Sequence, residues 1–306
     1  MRVLVTGAGG FLGSYICRHF GSAHHAIAAL GRFAVEDAIA PRYPGLELLA
    51  GMTLPDPAFV RALASFRPDV VVHAASTARV AESVTAPYAD FQASVDVCAF
   101  VLDALRQHAP RATFVLLSSA AVYGDPESQP IAENAACRPL SPYGYHKWLT
   151  ELVVEEYRRL FGLRTRTLRI FSAYGEGLRR QVLFDLCARL SESGDELSLF
   201  GTADESRDFV HASDVALAVE RALLADDDES VFNVASGVET RIAELVELLA
   251  RGLGREKHVS FAGQRLPGYP ARWRADIRSL GHHGFTPAVA LADGVARYCR
   301  WYREHG

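Results

Sequence analysis

The stretch "GAGGFLG" constrains this chain more than any other. It follows "RVLVTG" (2–7), a short apolar strand, and runs into "FLGSYICRHF" (11–20), whose apolar spacing suits a helix. Gly7 permits a tight turn, Gly10 lets backbone N–H groups approach a pyrophosphate, and Gly13 lets the helix pack close to the sheet. A strand, a glycine turn and a helix in that order predict a dinucleotide-binding unit. The spacing is G-x-x-G-x-x-G rather than G-x-G-x-x-G.

Further apolar runs of strand length follow at "HAIAAL" (25–30), "LELLAG" (46–51), "DVVVHAA" (69–75) and "ATFVLLSS" (112–119). From the third of these five strands onward, they read as buried on both faces. Helical stretches separate them, among them 57–66 and 91–109. "PYGYHKWLTELVVEEYRRLFG" (142–162) reads as a long helix, with Pro142 in its first turn and Gly162 past its end. "RTRTLRIFSAYG" (164–175) is the next strand and its exit. This alternation predicts an α/β chain with a Rossmann-type, doubly wound parallel sheet. Beyond about residue 172 the elements shorten and Gly, Arg, Ser and Asp enrich the loops. We therefore expect a smaller, interleaved C-terminal substrate lobe. The dinucleotide-binding domain is placed at 1–171 and about 208–235, and the second lobe at about 172–207 and 236–306.

Bulk properties exclude several classes. The 306 residues suit one large domain or two intimate ones, and a net charge of −4 gives no electrostatic case for nucleic acid or a membrane. No apolar run approaches the roughly 18 residues that span a bilayer. "MRVLVTGAGG" does not read as a secretory signal, so a cytoplasmic location is expected. Cys17, Cys98, Cys137, Cys187 and Cys299 are scattered, without Cys-x-x-Cys or zinc spacing, and are expected as buried free thiols with no metal site.

Two segments carry acid/base chemistry. In "SPYGYHK", Tyr143 and Lys147 are four apart and share a helix face. An ammonium beside a phenol favours the phenolate. Bringing the phenol from about 10 to near 7 takes roughly 4 kcal/mol of differential interaction. Tyr143 is then a general acid/base near neutral pH. "LLSSAAVYG" (116–124) ends a strand expected at the sheet centre, and a hydroxyl there faces the ligand crevice. Ser118 and Ser119 alternate in direction, so only one of them faces the site.

Together the glycine turn, "SSAAVYG" and "YGYHK" resemble the extended short-chain dehydrogenase/reductases, the group of nucleotide-sugar epimerases, dehydratases and 4-ketoreductases. "VVVHAAS" (70–76), "ESRDFVHASDVA" (205–216), "FNVASG" (232–237) and the ending "FTPAVALADGVARYCRWYREH" extend the resemblance over nearly the whole chain. It implies an NAD(P)-dependent enzyme that exchanges hydride with a sugar ring carbon, most often C4. The implied catalytic set is Ser119, Tyr143 and Lys147: Tyr143 moves the proton on the C4 oxygen, Ser119 orients that oxygen, and Lys147 also holds nicotinamide ribose hydroxyls. The implied cofactor lining is Gly7, Gly10, Phe11, Leu12, Gly13, Arg32, Met52, Ala74, Ala75, Ser118, Tyr143, Lys147 and Ile170. For the nucleotide-diphosphate sugar it implies Ser119, Tyr143, Ser172, Arg180, Gln181, Arg207 and Arg265. A homodimer sealed by helices 91–109 and 142–162 is likewise implied.

Departures from the family pattern sharpen this reading. Dehydratases of the group carry an acidic pair after the serine, where this chain has Ala120 and Ala121, which disfavours a 4,6-dehydratase. Met52 stands where many members place Asp, and Ser172 where many epimerases place Asn. At "AIAALGR" (26–32) no acid waits for the adenosine ribose: the run stops at Leu30, where the acid is expected, followed by Gly31 and Arg32. Arg32 suits a 2′-phosphate, so NADP(H) is favoured over NAD, and with it a 4-keto-sugar reductase. A nucleotide-sugar 4-epimerase is the alternative. A non-catalytic dinucleotide sensor ranks lower, because such proteins lose the tyrosine kept here.

Overall fold

The computed structural model describes residues 1–33, 43–226, 229–255, 257–264 and 270–306. Its strands, in chain order, are β1 (Arg2–Thr6), β2 (Ala26–Gly31), β3 (Leu46–Gly51), β4 (Val70–His73), β5 (Thr113–Ser119), β6 (Thr165–Ile170), β7 (Ser172–Tyr174), β8 (Glu196–Leu199), β9 (Ser206–His211), β10 (Val231–Val234), β11 (Glu239–Arg241) and β12 (His258–Phe261). Seven form one sheet in the order β10-β6-β5-β4-β1-β2-β3. Every pairing in it is parallel. The order reverses at β1, which opens a crevice beyond the carboxyl ends of β1 and β4.

Helices cover both faces of this sheet. Val3 and Val5 of β1 point into one core with Ile16 and Phe20 of helix Phe11–Ser22 and Val215 and Val219 of helix Ala212–Ala222. Leu4 points into the other, with Phe59 and Leu63 of helix Ala58–Phe66, Leu102 and Leu105 of helix Val97–His108, and Val154 of helix Pro142–Phe161. Two buried faces demand apolar side chains at successive positions, hence the unbroken apolar runs.

The glycine turn needs its missing side chains. Gly7 has φ +68, and a Cβ on it would lie 2.7 Å from the backbone of Ala74 and Ala75 beyond β4. A Cβ on Gly13 would lie 2.2 Å from the Gly7 carbonyl oxygen. Strand, helix and neighbouring strand therefore meet backbone to backbone.

The second lobe has its own core, built from Tyr174, Leu186, Leu245 and Tyr298 among others. It is framed by the sheet β11-β9-β7, the pair β12-β8, and helices Gln181–Ser191, Ile242–Leu253 and Leu291–His305. Several expectations are corrected. β3 is an edge strand with alternating exposure, because only β2 pairs with it. The helix expected over 91–109 is present, with a π-turn at Gln92–Asp96 leading into Val97–His108. The run 164–175 divides into β6 and β7, which lie in different sheets. Leu280 and Phe285 pack in the first core although they lie beyond residue 236, and β9 pairs in the small sheet. Cys17, Cys98, Cys187 and Cys299 are buried free thiols, and Cys137 is half-buried. No described helix is long and apolar enough to cross a membrane.

Candidate active site

β5 ends at Ser119 beside Ile170 of β6, at the crest of the central sheet. Ser119 then caps a short 3-10 turn, Ala120–Val122, with its hydroxyl accepting from the Ala121 N–H at 3.2 Å. Helix Pro142–Phe161 begins against this turn. Ser141 caps it by accepting from the Gly144 N–H at 3.2 Å, and Pro142 occupies the first helical position, where no N–H is needed. A Cβ on Gly144 would come within 2.7 Å of the Ala121 carbonyl oxygen, so glycine there permits the helix end to seat on the β5 crest. The Tyr143 N–H donates to Ser83 Oγ at 3.0 Å, which ties the helix start to helix Val80–Thr85. These contacts bring the Tyr143 phenol into hydrogen-bond reach of Ser119. One turn on, Lys147 is buried, donates to the Leu117 carbonyl oxygen at 3.1 Å, and holds its Nζ 5.8 Å from the Tyr143 ring centroid.

The electrostatics differ from the expectation of a lysine-depressed phenol. Burial pushes the Tyr143 phenol up and Asp90 adds to this, while the Ser119 hydrogen bond and Arg180 pull it down. Lys147 is itself lowered to about 8, because burial penalises its charge, against support from Cys98, Asp90 and Glu151. Its ammonium is spent on a backbone carbonyl rather than on the phenol. Asp90 is buried, accepts from Thr77 Oγ1, and meets His146 Nδ1 at 2.5 Å. His73 sits behind the site with Nδ1 2.9 Å from Thr6 Oγ1, and burial lowers its pKa to about 3, which keeps the ring neutral.

The glycine turn faces the same crevice. Gly10, the N-cap of helix Phe11–Ser22, has no side chain to cap it, so the first-turn N–H groups around Phe11, Leu12 and Gly13 are donors without a protein cap. This cradle fits a pyrophosphate. Ala74 and Ala75 border it; their N–H groups donate to the Thr6 carbonyl oxygen at 3.1 Å and to Thr6 Oγ1 at 3.4 Å. The ribose corner needs a correction. Leu30 is fully buried in the second core, pointing away from the crevice. Gly31 is the residue at the turn, where a Cβ would lie 3.3 Å from the Ala8 nitrogen and 3.4 Å from the Gly7 Cα. The acid position is therefore Gly31, one residue later than expected. Arg32 follows with its carbonyl against Gly9, its side chain exposed and, among the described residues, without an ion-pair partner.

Other expected residues scatter. The Ser118 hydroxyl points to Glu151, not to the crevice. Met52 and Ile170 pack in the second and first cores, so their side chains serve the sheet. Ser172 opens β7, paired with Phe209. Arg180 is the N-cap residue of helix Gln181–Ser191, half-buried, and close enough to act electrostatically on Tyr143. Gln181 is exposed with φ +66. Arg207 lies on β9, donates to the Ser206 carbonyl oxygen at 2.7 Å, and stands 5.7 Å from the Trp273 ring centroid. Arg265 lies outside the described residues. Sequence reasoning missed Ser83, Asp90, Gly144 and the pair Glu151–Arg169. Only Glu151 left a readable signal, since it continues the face of Tyr143 and Lys147 at the next turn.

The chain is similar to known proteins over its whole length. The model of the "NAD dependent epimerase/dehydratase family" matches residues 3–235. The chain is 30% identical to a UDP-glucose 4-epimerase of Mycolicibacterium smegmatis over 313 aligned positions, covering 99% of both chains. Among solved structures, it is similar to a UDP-glucose 4-epimerase of Thermus thermophilus in complex with NAD, with a TM-score of 0.88, 30% identity and complete coverage of both chains. A dTDP-glucose 4,6-dehydratase of Streptomyces venezuelae with NAD bound also gives 0.88, at 26% identity, covering 100% of this chain and 98% of that one.

The buried lysine makes a stability prediction. The unfolded chain keeps Lys147 protonated up to about its ordinary 10.5, the folded chain only to about 8. The penalty for the buried ammonium is full below that lower value and is relieved as pH rises toward the upper one, because the unfolded state then binds the extra proton. Across this window the parent should gain stability relative to Lys147→Met. Denaturant titrations at several pH values measure it, and parallel curves for the two proteins would show that this amine does not titrate there.

Proposed function

The chain belongs to the NAD dependent epimerase/dehydratase family, and from that premise we propose that it is a 4-epimerase of nucleotide-diphosphate sugars. One observation carries the reading: Ser119, Tyr143 and Lys147 converge at the crest, while Ala120 and Ala121 beside them supply no second proton carrier. That set handles one oxygen. Eliminating water across C5–C6 needs another acid and base, which alanine cannot provide.

When bound, the nicotinamide supplies a hydride acceptor and donor for the ring carbon. Tyr143 Oη takes the proton of the C4 hydroxyl as that carbon is oxidised. It returns the proton to the keto oxygen after the sugar has presented its other face. Ser119 holds the same oxygen. Lys147 holds the ribose hydroxyls. We assign the diphosphate to Arg207, the sugar to Ser172, Arg180 and Gln181, and the sugar-nucleotide cleft to the second lobe. Incubation with UDP-glucose should yield its C4 epimer without net cofactor oxidation. Tyr143→Phe should lower kcat by at least about 100-fold. A parent enzyme that leaves every nucleotide sugar unchanged, with a Tyr143→Phe variant indistinguishable from it, would sink the proposal.

A second reading, reduction of a nucleotide 4-keto-sugar by exchangeable NADPH, is favoured by the ribose corner. Gly31 offers no carboxylate to repel a 2′-phosphate, and Arg32 beside it is exposed and unpaired among the described residues. Arg32→Asp should weaken NADPH binding by about tenfold or more while leaving NADH nearly unchanged. Equal losses for both cofactors would remove the NADP(H) preference. The dinucleotide released on denaturing the purified protein decides between a retained NAD and an exchangeable NADP.

We also propose a homodimer across helix Pro142–Phe161. Tyr145, Leu149 and Leu152 repeat at helical spacing and are exposed, an apolar stripe of the kind a partner covers. Sedimentation velocity should show a dimer that Leu149→Glu/Leu152→Glu dissociates; a monomeric parent refutes it.

A further inference from the structure

A buried ion pair lies two turns behind Tyr143. Glu151 and Arg169 have side chains only 8% and 9% exposed. Arg169 Nη2 meets Glu151 Oε2 at 2.7 Å, and Arg169 Nε reaches both carboxylate oxygens at 3.1 Å, the planar fork of a strong guanidinium–carboxylate pair. Removing two charges from water is costly, and apolar side chains often fill such a space with no loss of stability. The pair's connections say what it does.

Glu151 also accepts from the Ser118 hydroxyl, the residue immediately before Ser119. Arg169 Nη1 donates to the Tyr123 hydroxyl at 3.0 Å and to the Glu133 carbonyl oxygen at 2.8 Å. The Tyr123 hydroxyl in turn donates to Asn233 Oδ1 at 2.7 Å. Tyr123 directly follows the 3-10 turn that Ser119 caps. The pair thus bolts helix Pro142–Phe161, which carries Tyr143 and Lys147, to β5, which ends at Ser119, and to β6, β10 and that turn. Glu151 stands one helical turn beyond Lys147. The other groups facing Lys147 are Cys98 and Asp90 from the helices packed on it, the Leu117 carbonyl of β5, His73 of β4, and Tyr143 on its own helix.

We propose that Glu151 and Arg169 are positioning residues that fix Ser119 against Tyr143. Glu151 acts in two ways, by holding the β5 crest through Ser118 and by placing a carboxylate beside the lysine. Its charge supports the ammonium against the burial that drives it toward neutrality. The proposal rests on the Tyr–Lys reading of the site but not on which sugar reaction is run.

Glu151→Gln tests it, because it keeps the shape, removes the carboxylate and leaves the Arg169 charge uncompensated. Its expected effect is a kcat lower by about 10- to 100-fold with sugar KM little changed. The alkaline limb of dinucleotide binding, followed by tryptophan fluorescence, should move to lower pH. Glu151→Asp should restore part of both. Ser118→Ala, which leaves the charges in place, should lower kcat without moving that limb. If Glu151→Gln fails to fold, Ser118→Ala decides, and an unchanged kcat there overturns the proposal. A folded Glu151→Gln that loses stability yet keeps the parental kcat and pH limb also overturns it. A parent that binds dinucleotide with a limb moved by Glu151→Gln, but epimerises no sugar, refutes the 4-epimerase reading and leaves this one standing.

Discussion

At the glycine turn the first strand and the first helix meet backbone to backbone, not through side chains. β1, the helix after it and the exit of β4 meet around Gly7 and Gly13, where any Cβ would fall within 2.7 Å of neighbouring backbone atoms. This contact sets how far the first helix tilts over the sheet and aims its uncapped N–H groups into the crevice. The crest of β5 lies two strands away in the same sheet, so the spacing between the glycine turn and Ser119 is fixed by the three adjacent parallel strands β1, β4 and β5 rather than by loops.

Around that crest the chain concentrates charge inside a dry interior. Lys147, Asp90, Glu151, Arg169 and His73 are all buried within or beside the sheet. Lys147 is held by a carbonyl, Asp90 by Thr77 and His146, and Glu151 and Arg169 by each other, while His73 meets Thr6 through Nδ1 and its Nε2 has no partner among the described residues. Burial pushes the Tyr143 phenol up, and Ser119 and Arg180 are the groups that pull it down.

Much of this was legible in the sequence. The strand–glycine–helix start, the alternation of apolar runs with helices, and the Tyr143–Lys147 spacing each follow from short-range rules that a single chain obeys on its own. Where the reading slipped, the cause was a neighbour distant in sequence. Leu30 and Gly31 exchange roles because the pleat, set by pairing with β1 and β3, turns Leu30 into the core. Ser118 faces Glu151 for the same reason. The helix over 91–109 carries a π-turn that no local propensity signals.

By itself, then, the sequence determined the α/β class, the glycine turn after the first strand and the Tyr143–Lys147 spacing on one helix face, because periodicity and spacing are properties of consecutive positions. Only the tertiary structure decided which hydroxyl of the serine pair faces the crevice, which residue stands at the ribose corner, and that burial rather than Lys147 governs the Tyr143 phenol. Those outcomes depend on desolvation and on contacts such as Ser118 to Glu151, 33 positions apart, which exist only once the helices have closed over the sheet.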